Sequence, residues 1–220
     1  MTYLLRLCAC LFLCVSLNSF AALSIRDLDG DWSNGHEGVY DDVLDITWLA
    51  DAKLSVSYPF GLSQQFDYNG PSYATGTTWN GANDYINNMN NAGLGFFGLD
   101  SWRLPTSGCR DRNDCGDVPT DTVDELGYHH HQNFNANQNS FMIDGENTNN
   151  LLHFNNIEAW YWTGQELGYV SAVLINNGRQ ATALKSHRAH IWPVHDGDIG
   201  ASPVPPPQGI YLFLSGLVGL

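Results

Sequence analysis

The pattern of hydrophobic and polar positions predicts a first strand over residues 43–49. Hydrophobic side chains at Leu44, Ile46 and Trp48 alternate with polar ones at the positions between them. A period of two residues is typical of a strand that packs one face on a core and exposes the other to solvent. We therefore expect a half-buried strand here.

A helical period predicts the longest helix, in the segment TTWNGANDYINNMNNAGLG. Thr78 is a suitable N-cap, because its hydroxyl oxygen can accept a hydrogen bond from a backbone N–H of the first turn. Hydrophobic residues then recur three or four positions apart, which places them on one helix face. They are Trp79, Ala82, Tyr85, Ile86 and Met89. We interpret this face as part of the core.

A second helix is indicated by TVDELGYHHHQNF, in which Thr122 and Glu125 have the spacing of a capping box. His129, His130 and His131 are consecutive, so on a helix their side chains point about 100° apart and do not converge on one metal ion. We interpret them as part of a polar helix surface, with a metal site as the alternative.

The region after residue 158 has a β pattern. In AWYWTG, Trp160 and Trp162 fall on one face of a strand and Tyr161 on the other. The strand GYVSAVLI follows. Asn177-Gly178, before RQATAL, is a strong hairpin signal, since a type I′ turn needs positive φ at both central positions. AHIWPV is predicted to be a final strand that closes an antiparallel meander.

Together these elements predict an α+β fold, with one or two helices packed on a twisted antiparallel sheet. Long loops are expected over residues 53–78, with one short strand, and over residues 135–156, which are rich in asparagine.

Residues 1–21 have the organisation of a secretory signal peptide. Arg6 supplies a positive charge, residues 4–17 are largely apolar, and Ala21 ends a small-residue cleavage site. The alternative, an uncleaved anchor helix, needs about 20 apolar residues, more than this stretch contains. We expect an exported protein with one globular domain over residues 22–200 and a separate segment over residues 201–220.

The cysteines agree with export. Cys8, Cys10 and Cys14 lie in the signal peptide, which leaves Cys109 and Cys115 in the mature chain. In an oxidising compartment these two are expected to form a disulfide that closes one local loop. A zinc site, the alternative, would need further ligands at the usual spacing, and none stand there.

Charge narrows the choice of partners. The chain has 9 Lys plus Arg against 23 Asp plus Glu, a net charge of −14, and removal of the signal peptide makes it about −15. Nucleic acids and anionic lipids bind through basic patches, so this charge argues against both. It argues against sulfated polysaccharides too, unless basic residues cluster on one face; the candidates are Arg103, Arg110, Arg112, Arg179, Lys185 and Arg188. Neutral sugars or divalent cations fit better.

An acidic loop offers a candidate cation site. Asp27, Asp29 and Asp31 alternate around Gly30, and alternate carboxylates in a glycine-containing turn can converge on Ca²⁺. The loop lacks the glycine and glutamate of a full EF-hand pattern. Calcium binding and a solvated acidic turn both remain open here, and no other cofactor is predicted.

Six motifs in order carry a family resemblance: VYDDVLDITWLADA, WNGANDYINNMN, WRLPT, DELGY, YWTG and HIWPVHDGD. This set resembles the Lcl C-terminal-like domain family of bacterial extracytoplasmic proteins, over about residues 26–198. The resemblance implies a fold similar in outline to C-type lectins, with loops over a small antiparallel sheet, and a role in adhesion or glycan binding. The family's hallmark positions, which we interpret as structural, map onto Trp48, Trp102, Arg103, Leu104, Pro105, Tyr161, Trp162 and Trp192.

The C-terminal segment resembles a PEP-CTERM sorting signal, in which a proline motif precedes an apolar helix and a basic cluster. Here the proline motif maps onto Pro203, Pro205, Pro206 and Pro207, and IYLFLSGLVGL corresponds to part of the apolar helix. The basic cluster is missing, so we expect the sequence to stop short of it. The resemblance implies transient membrane contact and removal of the tail by an exosortase-type enzyme.

Three functions are consistent with these features. The favoured one is a non-enzymatic protein of the cell surface or extracellular matrix of a Gram-negative biofilm former, which binds polysaccharide or a surface protein. The second is a calcium-stabilised structural module. The third, an extracytoplasmic hydrolase, has no ordered catalytic signature. Its candidate acids and bases would be Asp41, Asp42, Asp45, Glu125, His129, His187, His190 and His195.

Overall fold

The computed structural model of this protein describes residues 23–62, 65–66, 75–93, 95–109, 122–158, 160–175 and 178–200. The predicted signal peptide, the proline motif of the tail, Cys115 and Asn177 lie outside these residues. Within the described chain the fold is α+β, as predicted, with small antiparallel sheets and a few helices.

A four-stranded antiparallel sheet contains β1 (Leu23–Arg26), β2 (Gly38–Asp41), β3 (Ile46–Leu49) and β9 (Val194–Asp196) in the order β1-β2-β3-β9. The strand predicted over residues 43–49 is therefore shorter than expected. Its first part is a turn, in which the Asp41 carboxylate accepts hydrogen bonds from two backbone N–H groups and Asp45 has a φ of 51°. All four residues of β3 are buried, so the strand is covered on both faces rather than on one.

A second sheet is an antiparallel meander of β6 (Trp160–Leu167), β7 (Val170–Ile175) and β8 (Arg179–Leu184). The predicted hairpin is present, and Gly178 has the positive φ, 77°, that such a turn requires. A short pair, β4 (Gln65–Phe66) with β5 (Thr75–Gly76), completes the described strands.

The prediction that AHIWPV closes the meander is wrong. Residues 189–196, which we call the hub segment, pair with four other parts of the chain in turn. Backbone hydrogen bonds of 2.8–3.1 Å join Ala189 to Thr77, His190 to β6 and Val194 to Arg103, and β9 then pairs with β3. The hub segment therefore connects the two larger sheets.

The helices are α1 (Leu54–Ser57), α2 (Trp79–Asn90), α3 (Glu125–Tyr128) and α4 (Thr148–Leu151), with a π-helical turn at His129–Asn133 and a 3-10 turn at Met142–Asp144. The predicted helix is α2, and the Thr78 side chain caps it by accepting a hydrogen bond from Gly81 N. Both regions predicted as loops contain a short helix. In the described part of the chain, no helix combines the length and the apolar character needed to cross a bilayer.

The predicted start of the second helix is wrong. Asp124, not Thr122, is the N-cap of α3, and its carboxylate accepts a hydrogen bond from Gly127 N at 2.9 Å. Glu125 cannot complete a capping box because its carboxylate is bound by Arg103. The predicted polar helix surface is also wrong: His129 and His130 are fully buried, and the His129 ring packs against Trp48, Phe154 and Trp192.

Two hydrophobic clusters form the core. The first contains Trp48, Trp192 and Tyr161, and the second contains Trp162, Tyr85 and residues of α2. Successive residues of one strand serve different clusters: Tyr161 enters the first and Trp162 the second. Side chains on a strand alternate between its two faces, so β6 separates the clusters and packs on both.

Arg103 joins three segments by charge. Its guanidinium donates two hydrogen bonds to the Glu125 carboxylate, at 2.7 and 2.9 Å, and two more to Asp196 Oδ1 in β9. Burial alone would lower the pKa of Arg103, but hydrogen bonding and charge attraction to Glu125 and Asp196 raise it overall. The Glu125 side chain is only 7% exposed, so Arg103 is the cation that compensates this carboxylate for its burial.

We predict that Arg103→Ala lowers the free energy of unfolding by about 2–4 kcal/mol, because it leaves a buried carboxylate without its cation. The measurement is urea unfolding at neutral pH. Adding Glu125→Gln to that variant should recover part of the loss. The control, Arg26→Ala, breaks the more exposed pair with Asp198 and should cost about 1 kcal/mol or less. Equal losses in the two single variants would contradict the role given to Arg103.

Candidate functional site

The acidic loop between β1 and β2 is held by its own carboxylates. Asp27 Oδ1 accepts hydrogen bonds from the backbone N–H groups of Asp29, Gly30 and Asp31, at 2.6–3.2 Å. Gly30 has a φ of 83°, which glycine adopts without strain. Aspartates that bind the backbone two or three residues ahead are typical of tight turns, so the sequence DLDGD closes this loop by itself.

The structure brings together Asp27, Asp29 and Glu37, with one carboxylate oxygen of each within 4.8 Å of the others. Asp31, the third residue predicted from sequence, does not belong to this group, and its Oδ1 accepts a hydrogen bond from Ser33 N instead. Glu37 was missed because it lies ten residues beyond Asp27, at the far end of the loop. Only the folding back of the loop places it there.

Next to these carboxylates lies a partly open pocket of about 410 Å³. This volume is in the range of about 300–1,000 Å³ typical of small-molecule sites. We call it the acidic-aromatic pocket. Its lining combines three carboxylates, three aromatic rings, two asparagines, one histidine and a short apolar floor: Asp29, Asn34, His36, Glu37, Leu49, Ala50, Asp51, Leu54, Tyr58, Phe96, Phe97 and Asn155.

Backbone hydrogen bonds fix the frame of the pocket. Ala50 N donates to Glu37 O, Asn155 N donates to Ala50 O, and Ala52 N donates to Asn155 O, at 2.8–3.0 Å. Leu28 N donates to Glu37 Oε2, which holds that carboxylate toward the acidic loop. The pocket is therefore formed by the end of β3, the loop before β2 and the segment after α4, and needs no ligand to bring these parts together.

The aromatic wall comes from two other segments. The rings of Tyr58 and Phe96 lie 5.9 Å apart, and those of Phe96 and Phe97 lie 4.1 Å apart. Tyr58 is 56% exposed, so an aromatic face is available to solvent. Phe97 has a φ of 57°, a region that bulky residues rarely adopt, and it occupies this conformation at the pocket wall.

The pocket is electronegative. Asp29, Glu37 and Asp51 contribute three carboxylates, and none of the ion pairs between described residues involves them. Lys53 lies nearby in sequence, but its ammonium is bound to Glu158. The hydrogen bond from Asn34, together with a backbone hydrogen bond, lowers the pKa of Asp29 below its ordinary value, so this carboxylate is ionised at neutral pH.

The residues that we assigned to the family hallmark lie elsewhere, in the interior. Six of them are aromatic or aliphatic side chains no more than 5% exposed, Pro105 is buried, and Arg103 forms the ion pairs described above. Trp192 Nε1 donates to Leu49 O, and Trp162 Nε1 donates to Thr77 O, so both indoles pack and also satisfy buried carbonyls.

Cys109 is buried and disulfide-bonded. Its predicted partner, Cys115, lies outside the described residues, so the pairing stays a prediction.

Of the residues considered for hydrolysis, the structure brings Asp41 and His129 together, on opposite sides of the buried Asn133 amide. Asn133 Nδ2 donates to Asp41 Oδ2 and lies 2.8 Å from His129 Nδ1, all in the interior. Glu125 is paired with Arg103. The buried His190 faces Glu158 at 3.9 Å. The remaining candidates, Asp42, Asp45, His187 and His195, are exposed or half-buried. None of the eight lines the acidic-aromatic pocket.

Comparison with protein-family models, curated proteins and solved structures found no match for this chain. Neither the family resemblance nor the C-type-lectin-like outline is tested by these comparisons, and both stay expectations.

Burial of His129 predicts loss of stability in acid. Its ring stacks on Trp48 at 4.4 Å, and burial, followed by repulsion from His130, lowers its pKa well below the ordinary value. In the unfolded chain this histidine binds a proton near pH 6.5, whereas in the folded chain it stays neutral. The free energy of unfolding therefore falls as pH drops below about 6.5. His190, whose burial lowers its pKa to about 4, acts in the same direction.

We predict that His129→Phe, which keeps a stacked ring, reduces the slope of unfolding free energy against pH by up to about 1.4 kcal/mol per pH unit between pH 6.5 and 5. Urea unfolding across this range measures the slope. His187→Phe, at an exposed position, is the control and should leave the slope unchanged. An unchanged slope in His129→Phe would show that this histidine does not titrate as its burial requires.

Proposed function

We propose that this chain is an exported, non-enzymatic protein of the cell surface or extracellular matrix of a Gram-negative bacterium, and that it binds a polysaccharide through the acidic-aromatic pocket. The predicted signal peptide, the resemblance of the C-terminal segment to a sorting signal and the resemblance to an adhesin-like family support export and surface location. The observation that carries the binding proposal is the pocket itself, with aromatic rings beside hydrogen-bonding side chains.

A sugar ring has apolar C–H faces and a rim of hydroxyl groups, so it needs an aromatic surface and polar groups together. Tyr58, Phe96 and Phe97 supply the surface, and asparagine and carboxylate side chains supply donors and acceptors. The exposed fraction of Tyr58 leaves its ring available for stacking. Trp32, which is 50% exposed, lies in the loop that also carries Asp29 and adds a second aromatic surface to this loop.

The charge of the pocket argues against sulfated or uronic acid polymers. An anionic sugar would meet Asp29, Glu37 and Asp51, none of which has a Lys or Arg ion-pair partner among the described residues. The negative charges of such a sugar and of these carboxylates would repel each other. The net charge of −14 also gives the chain no long-range attraction for a polyanion. The ligand is therefore neutral or positively charged.

We predict that Tyr58→Ala weakens binding of a polysaccharide fragment by at least about fivefold, since truncation of a tyrosine that anchors a ligand can cost more than about 1 kcal/mol. A polysaccharide array identifies the fragment, and calorimetry gives the Kd. The matched control is Tyr169→Ala, a tyrosine 61% exposed at the β6–β7 turn, which should not change the Kd. Equal losses in both variants, or no ligand of any class on the array, would contradict the proposal.

A calcium-stabilised loop is the second candidate, and the grouping of Asp27, Asp29 and Glu37 favours it. Ca²⁺ takes about six to eight oxygen ligands, so these carboxylates would supply part of a site that backbone carbonyls or water complete. Asp27 Oδ1 already accepts three backbone hydrogen bonds, which leaves its other oxygen as the more accessible ligand atom.

For this second candidate we predict a higher melting temperature in millimolar CaCl₂ than in chelator, because an ion that binds only the folded state stabilises it by mass action. Glu37→Gln should abolish the shift. Asp31→Asn, which removes a neighbouring carboxylate outside the group, should preserve it. Identical melting curves in calcium and chelator would exclude the calcium site.

A further inference from the structure

Within the described part of the chain, the three carboxylates of the acidic-aromatic pocket form no ion pair with a cation. Arg26, Lys53, Arg103 and Lys185 are each engaged with other acidic groups, and no described ion pair reaches Asp29, Glu37 or Asp51. Placing a neutral ligand over these carboxylates would remove water from charged groups without providing a compensating charge. A ligand that brings a positive charge avoids this cost.

The aromatic wall favours the same charge. The faces of aromatic rings carry negative potential and attract ammonium groups within about 6 Å of the ring centre. Tyr58, Phe96 and Phe97 stand in the same pocket as the carboxylates, and their neighbouring rings lie 4.1–5.9 Å apart. The protein already uses this interaction elsewhere, where the Lys185 ammonium lies 4.5 Å from the Trp79 ring centre.

We infer that the acidic-aromatic pocket binds a sugar residue that carries a free, protonated amino group, so that the polysaccharide ligand is a hexosamine polymer lacking N-acetyl groups at the bound position. This inference rests on the proposed polysaccharide-binding function and names its ligand class. The ammonium lies beside Asp29 and Glu37, whose carboxylate oxygens are within 4.8 Å of each other, and Asp51 adds a further negative charge to the pocket lining. The C–H face of the ring stacks on Tyr58 or the phenylalanine pair. An N-acetyl group at that position removes the charge and leaves the carboxylates unpaired.

The test compares two probes that differ only in this group: a β-1,4-linked glucosamine tetramer and its fully N-acetylated counterpart. We expect the wild-type domain to bind the amino form at least about tenfold more tightly, as measured by calorimetry at 50 mM salt. The preference should shrink as the salt concentration rises, because part of the attraction is between accessible charges.

A matched pair of variants separates the pocket from general attraction to an acidic protein. Asp29→Asn with Asp51→Asn changes the charge of the pocket by two, and each substitution keeps the size of the side chain. Asp84→Asn with Asp144→Asn makes the same change in net charge at exposed positions on α2 and in the 3-10 turn. The pocket variant should lose most of the preference for the amino form, and the surface variant should keep it.

The outcomes distinguish the inference from the function on which it rests. Equal binding of both tetramers, weakened by Tyr58→Ala, would overturn the amino-sugar inference and support polysaccharide binding. If the pocket and surface double variants weaken binding of the amino form equally, the inference is overturned, because the attraction is then non-specific. If millimolar Ca²⁺ competes with the amino tetramer for wild-type protein but not for Glu37→Gln, the result supports the placement of the ammonium at these carboxylates. Binding of neither tetramer, with no ligand on the polysaccharide array, would contradict the function as well.

Discussion

The fold depends on backbone pairing by the hub segment, residues 189–196. This extended stretch bonds to Thr77, to β6, to Arg103 and to β3 in succession, so it joins elements that are distant in sequence. Its side chains alternate between the two hydrophobic clusters, with Ile191 in one and Trp192 in the other. The close approach leaves no room for a side chain at residue 76, where a Cβ would stand 2.8 Å from the Ala189 carbonyl oxygen.

The acidic-aromatic pocket is a consequence of this arrangement. Once β3 is paired with β9 and packed between the clusters, residues 49–51 emerge at one end of the sheet, and the segments around Glu37 and Asn155 bond to them. Four tryptophans (Trp48, Trp102, Trp162 and Trp192) and the Glu125 partner of Arg103 are buried, while the pocket carries carboxylates from loops at the end of the sheet. The residues that stabilise the fold are therefore different from those proposed to bind the ligand.

The sequence predicted what depends on local patterns. The α2 helix, its Thr78 cap and the β7–β8 hairpin follow from periodicity and turn chemistry within a few residues. The pairing predicted for the hub segment was wrong, because the pattern of one strand does not specify which other strand it pairs with. The predicted exposure of His129 was also wrong. A run of three histidines looks polar, and most of the rings that enclose His129 come from distant segments of the chain. The pocket had no sequence signal because its walls come from separate stretches of the chain.

The most direct test of the central claim, that the acidic-aromatic pocket is the binding site, is amide hydrogen exchange of the protein with and without saturating glucosamine tetramer. Binding slows local opening where the ligand sits. The account predicts slower exchange in the acidic loop, in residues 50–58 and around Phe97, with the β6–β8 meander unchanged. Protection confined to the meander, or none at saturation, would contradict it.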